Sequence, residues 1–199
     1  MRCGAVECAL LLGLAGGCGD GVGRPILDLT SGESSGGNAG ATSDVPVGLY
    51  CEQAASWPIE AAASELQFVQ RINVARTGSG SSCDGQSFAS LPPLAIAREL
   101  RCSARLHAAD IAKTGILTTD DIDHMNPAER MAAAGFSSTF AAEDLASGDL
   151  PANVGWPYFI IPGEPQGCAL ADPRFTHIGV GSVYLPSVGS LWVIDLAAP

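Results

Sequence analysis

The chain has 199 residues, 47% of them hydrophobic, with 10 basic against 21 acidic side chains and a formal net charge of −11. That length supports one well-buried core rather than several. The acidic balance repels phosphate backbones and anionic membrane surfaces, which argues against nucleic acid as a partner.

Residues 1–17 read as an export leader: Arg2 is a thin basic region, an apolar run covers 9–14, and Ala15-Gly16-Gly17 follows. The run is too short to span a bilayer. Cys18 directly after those small residues matches the processing site of a bacterial lipoprotein, so lipidation at Cys18 is expected, with cleavage to a secreted form as the alternative. Residues 18–48 are rich in Gly, Ser, Asp and Thr and too poor in large apolar side chains to pack, so they read as a disordered tether. Such a tether spans on the order of 30 Å on average. The folded domain is expected over 49–199, as a monomer in the cell envelope or outside the cell.

Ile59, Ala62, Leu66, Val69 and Ile72 recur at intervals of three and four, predicting a first helix with Pro58 in its opening turn. Pro93-Leu94 opens a second helix, in which Leu94, Ala97, Leu100, Ala104, His107 and Ile111 share one stripe. His107 therefore points at the core, where a lone histidine reads as a hydrogen-bonded core residue before a ligand. Residues 127–135 start with Pro127 and end with Gly135, the asymmetry of a short third helix. Pro151, Pro157 and Pro162 make a long helix over 149–162 costly, at about 3 kcal/mol for each interior proline. Residues 176–185 and 190–197 are β-branched and aromatic around a turn at 186–189, which predicts a closing antiparallel hairpin. Gly179 and Gly181 within it suggest close approach by another backbone or a helix.

Once Cys3 and Cys8 leave with the leader and Cys18 takes lipid, Cys51, Cys83, Cys102 and Cys168 remain. An even number in an exported domain reads as two disulfides, with three connectivities open. The Gly/Ser-rich loop before Pro92 can fold back on the second helix, which favours Cys83 with Cys102 and leaves Cys51 for Cys168. The spacings lack the Cys-x-x-Cys pairs usual in structural zinc sites.

From Cys51 to Ala197 a series of motifs occurs in a telling order: Asn73-Val-Ala-Arg76, the Ala104-Arg-Leu-His107-Ala-Ala-Asp110-Ile helix, Ala142-Glu-Asp-Leu-Ala146, Gly155-Trp156, the 168–175 segment and the Thr176-His-Ile-Gly-Val-Gly181 strand. This order resembles the CAP superfamily of cysteine-rich secretory, antigen 5 and pathogenesis-related proteins, the SCP-like domain, in its short bacterial form. The resemblance implies an α/β fold, a three-layer α/β/α sandwich closed by a C-terminal antiparallel hairpin. It also implies a central cavity where two histidines and one or two glutamates face one another and sometimes hold a divalent metal.

Glu143 stands at the family's Gly-Glu-Asn position, but Thr119 and Gly167 stand where the two histidines are expected. With that constellation reduced, the resemblance implies a non-catalytic envelope or extracellular binding module without a resident cofactor. Its ligand would be an apolar small molecule or envelope component in a groove near Trp156, Tyr158, Phe159 and Ile160. A divalent metal and a hydrolase reaction remain the alternative, using Glu143 with a relocated His124. A spacer domain without a ligand is the third reading. The Asp120-Asp-Ile-Asp-His124 segment lacks the spacing of a calcium loop and reads as a solvated acidic turn. The Gly-x-Ser-x-Gly match at 32–36 falls in the expected tether rather than between a strand and a helix, so it makes no nucleophile elbow.

Overall fold

A computed structural model describes residues 44–78, 81–83, 86–148, 168–187 and 189–199, with backbone alone for 81–83 and 86–88. The elements run in order α1 (Glu52–Ala55), α2 (Ile59–Thr77), β1 (Ser81–Cys83), β2 (Gln86–Phe88), β3 (Ala95–Ile96), α3 (Arg98–Thr114), α4 (Pro127–Ala133), β4 (Phe140–Ser147), a 3-10 turn (Ala169–Ala171), β5 (His177–Leu185) and β6 (Gly189–Ala198). Strands β1 and β2 pair with each other, and the main sheet has the order β3-β5-β6-β4. Strand β3 lies parallel to β5, while β5 to β6 and β6 to β4 are antiparallel. The architecture is mixed α/β, as the motifs led us to expect. No described helix is long and apolar enough to cross a membrane.

The expected hairpin is β5 and β6, and its two-residue period sorts the core into two faces. Ile178, Val180, Trp192, Ile194 and Leu196 pack with Phe68, Val69 and Ile72 of α2. The alternate residues Leu191 and Val193 pack with Ala104, Ala108 and Ile111 of α3, while Ala197 meets Leu100 and Met131. Gly179 and Gly181 face α3, where a Cβ would lie 2.1 Å from the Leu100 carbonyl carbon or 2.4 Å from the Ala104 oxygen. These two glycines let the helix backbone settle directly on the sheet.

The buried face of α2 differs from its apolar stripe. Ile59 and Leu66 are exposed, whereas Glu65 and Arg76 are buried beside Phe68, Val69 and Ile72. Each buried charge is matched. Glu65 accepts from Arg105 at 2.7 Å and from the Ser182 amide at 3.0 Å. Arg76 donates to the carbonyls of Pro92, Leu170, Asp172 and Phe175. Asn73 exchanges two hydrogen bonds with the Leu94 backbone. The Asn73-x-x-Arg76 motif is thus a staple from α2 to the chain entering α3 and to the segment before β5.

The second helix begins at Arg98 rather than at Leu94, because Ala95 and Ile96 are drawn into the parallel bridge with His177 and Ile178. Packing also starts earlier than the boundary at 48/49. Val45 is buried, and Asp44 pairs with Arg105 at 2.7 Å. The disulfide pairing needs correction as well. Cys51 is bonded to Cys102, both buried against Ala54 and Ala134. The short helix α1 brings Cys51 onto α3, so neither Cys83–Cys102 nor Cys51–Cys168 forms. Cys168 is itself disulfide-bonded.

Candidate functional site

Four side chains from four elements meet beneath α3. Glu143 comes from β4 and Asp195 from β6, directly opposite in the strand register and so on one face of the sheet. His107 comes from α3, pointing inward as its stripe predicts, and Arg130 comes from α4. Helix α4 is fixed by a capping box in which Asn126 accepts from the Glu129 amide and Glu129 returns a bond to the Asn126 amide. That cap aims Arg130 inward. Its Nη1 donates to the carbonyls of Thr119 at 2.8 Å and Met125 at 2.7 Å, and its Nη2 donates to Glu143 Oε2 at 2.5 Å.

The cluster is sealed. The Glu143 side chain is 0% exposed, and Asp195 is fully buried. Burial pushes the Glu143 carboxyl up to about 7, with Arg130 pulling against it. Burial and the neighbouring Glu143 hold Asp195 well above the usual carboxylate range. Neither Asp195 oxygen makes a well-formed hydrogen bond, and Glu143 Oε1 makes none either. His107 is pushed down to about 4 by burial and by Arg130, so its imidazole is neutral.

His107 Nδ1 lies 2.9 Å from Glu143 Oε2 and 3.2 Å from Arg130 Nη2. The shorter contact, to an ionised acceptor, places the proton on Nδ1, donating to Glu143. Nε2 is then a bare lone pair, buried and without a hydrogen-bond partner. His107 also lines a surface cleft of about 420 Å³ together with Asp110, Ile111, Thr114, Ile116, Asp120, Asp121, Ile122 and His124.

No family model matches the chain, and no curated protein matches it. Among solved structures, the chain is similar to an extracellular protein containing an SCP domain from Bacillus anthracis. The identity is 16%, over 70% of this chain and 41% of that one, with a TM-score of 0.47. It is also similar to an outer surface protein from Borrelia burgdorferi at 16% identity, over 67% of this chain and 92% of that one, with a TM-score of 0.48. The first carries the SCP domain that this chain's motifs resemble.

The two residues proposed to act together from sequence are placed apart in role. Glu143 is enclosed with Arg130, while His124 is exposed on the loop before α4, in a left-handed conformation with φ 63°. That loop is closed by Asp121, whose Oδ1 accepts from the Asp123 and Met125 amides. Among the described residues no group of three or more His, Cys, Asp or Glu side chains is placed to hold a metal ion. The Oε2 of Glu143 is already taken by the Arg130 guanidinium. Thr119, aligned with the first family histidine, contributes only its carbonyl, to Arg130. Gly167, Trp156, Tyr158, Phe159, Ile160 and Cys18 lie outside the described residues, as does the Cys83 side chain.

Sequence reading missed Arg130 and Asp195. Asp195 left a signal, being a lone acid inside the apolar run of residues 191–197. Arg130 left none, because its partners lie on other elements.

Proposed function

We propose that this chain is an exported domain that binds a partner rather than catalysing a reaction, tethered through a lipid on Cys18. The disulfide between Cys51 and Cys102, with Cys168 bonded as well, suits an oxidising compartment. A three-layer α/β/α sandwich of CAP type accounts for α2 packing on one sheet face and α3 with α4 on the other. An apolar ligand near Trp156 and Tyr158 rests on the sequence alone.

One observation carries the non-catalytic reading: Arg130 donates to Glu143 in a site closed to solvent. A carboxylate acting as a metal ligand or general base needs free lone pairs and access to the reacting atoms. Glu143 has neither. Calorimetric titration of the oxidised chain with zinc and calcium tests this, repeated on Glu143→Gln and His124→Ala. The expected result is no heat that either substitution removes. Zinc binding lost in both variants would overturn the reading and install the metal-dependent hydrolase.

A further inference from the structure

A groove of about 210 Å³ lies between the start of α2 and the closing hairpin, on the opposite sheet face from His107. The register sets Tyr184 opposite Ser190 and Ser182 opposite Trp192, and the two-residue period turns all four toward α2. Glu60 and Ser64, in the first turns of α2, form the facing wall. These walls are fixed in place. Trp192 stacks on Phe68 of α2 with ring centroids 4.8 Å apart, and its Nε1 donates to the Gly148 carbonyl at 3.2 Å. The Ser182 amide donates to Glu65, the residue after Ser64, at 3.0 Å.

Two side chains in the groove are uncommitted. Tyr184 is 72% exposed and makes no hydrogen bond or ring contact with another described residue. Ser182 is only 6% exposed, yet its hydroxyl has no hydrogen-bond partner among the described residues and is not one of the polar atoms sealed from solvent. An exposed aromatic alone is ordinary. Beside a recessed, unpaired hydroxyl in a walled groove it is a contact surface. The Ser182 hydroxyl can donate and accept, the Ser64 Oγ donates to the Glu60 carbonyl at 2.9 Å and keeps its acceptor lone pairs, and Glu60 adds a carboxylate. No lysine or arginine lines the groove, so a phosphate or carboxylate has no cation to meet it. An apolar molecule would leave Ser182 unpaired. A protein partner spreads over a far wider patch, about 800 Å² on each side. What fits is one small ring, neutral, with several hydroxyls and a C–H face for the aromatic.

We propose that this groove binds a pyranose ring of a saccharide, stacked on Tyr184 and hydrogen-bonded to Ser182 and Glu60, either as a free sugar or as a unit of a longer glycan. The proposal rests on the binding-module reading and gives it a ligand class. The two fail separately, because zinc uptake lost in Glu143→Gln would remove the module reading, whereas the titration below reports on this groove alone.

The test is titration of the oxidised, isotope-labelled full chain, read from amide NMR shifts, with glucose, N-acetylglucosamine, cellotriose and chitotriose. Cyclohexanol is the control, a ring with one hydroxyl. The expected result is saturable shifts at residues 60–64 and 182–184, with affinity weakened about tenfold by Tyr184→Ala and about fivefold by Ser182→Ala, and largely kept by Tyr184→Phe. Neither position threatens the fold, since Tyr184 is exposed and Ser182→Ala keeps the amide bond to Glu65. Binding of a monosaccharide would assign a free sugar, and binding of a trisaccharide alone would assign a glycan. Cyclohexanol binding as tightly as the sugars would overturn the proposal. So would affinity unchanged in Tyr184→Ala, shifts confined to residues outside the groove, or no saturable shift with any of the four sugars.

Discussion

Replacing Arg130 by methionine removes the guanidinium beside Glu143 while keeping a long apolar stem in the same space. Part of the cost is independent of pH: two bonds to the Thr119 and Met125 carbonyls are lost, together about 3 kcal/mol. The rest comes from Glu143. In the wild type its carboxyl ionises near pH 7, so above that point the folded and unfolded chains hold the same number of protons there. Without Arg130 the buried carboxyl keeps its proton to higher pH, while the unfolded chain has long since released it. A group whose folded pKa is raised loses stability as pH rises, so the variant falls behind by about 1.4 kcal/mol for each pH unit above 7. By pH 9 the additional deficit is about 3 kcal/mol. Urea unfolding of both proteins at pH 6, 8 and 9 measures it, with Arg130→Met/Glu143→Gln as the control that abolishes the slope. A gap between wild type and Arg130→Met that stays constant from pH 6 to 9 would refute the pairing argument.

Three further expectations concern the fold around the site. His107, held near 4, contributes stability that is lost as pH falls from 6.5 to 4, about 3 kcal/mol, while Glu143 contributes a similar amount in the opposite sense as pH falls from 7 to 4.5. The two offset one another, so His107→Gln is expected to become more stable relative to wild type between pH 6.5 and 4.5, read from urea midpoints; parallel profiles would contradict it. Gly179→Ala or Gly181→Ala would force α3 back from the sheet and cost at least about 3 kcal/mol, with a loss under 1 kcal/mol showing that the helix is not seated on those glycines. Cys51→Ala/Cys102→Ala opens a loop with a sequence separation of 51 residues, and the lost constraint is worth about 4 kcal/mol in thermal or urea unfolding.

How far the sequence discloses this molecule depends on the range of the interaction involved. The hairpin, the helix-facing glycines, the inward turn of His107 and the Asn126-Pro127 start of α4 all follow from residues within one or two turns of one another. Burial of Glu65 in place of Leu66 does not, since it depends on Arg105, 40 positions away, and on an amide of β5. The Cys51–Cys102 pairing likewise waits on where α1 lands. At the site, the motif identifies Glu143 alone. Its charge partners become visible only once the β4–β6 register sets Asp195 opposite it and α4 delivers Arg130. A reading that stops at the motif therefore finds an acid and assumes it is available.

The retention of such a cluster calls for an explanation other than stability. Buried ion pairs are often no more stabilising than apolar side chains of the same volume, because desolvation consumes the Coulomb gain. Here the cluster has one product that an apolar core would not give. Arg130 favours the ionised form of Glu143, and Glu143 in turn holds the His107 proton on Nδ1. The imidazole is kept neutral and its orientation fixed, with Nε2 buried and without a hydrogen-bond partner. Arg130 and Glu143, both without access to solvent, thus set the protonation and the orientation of a third buried side chain, His107.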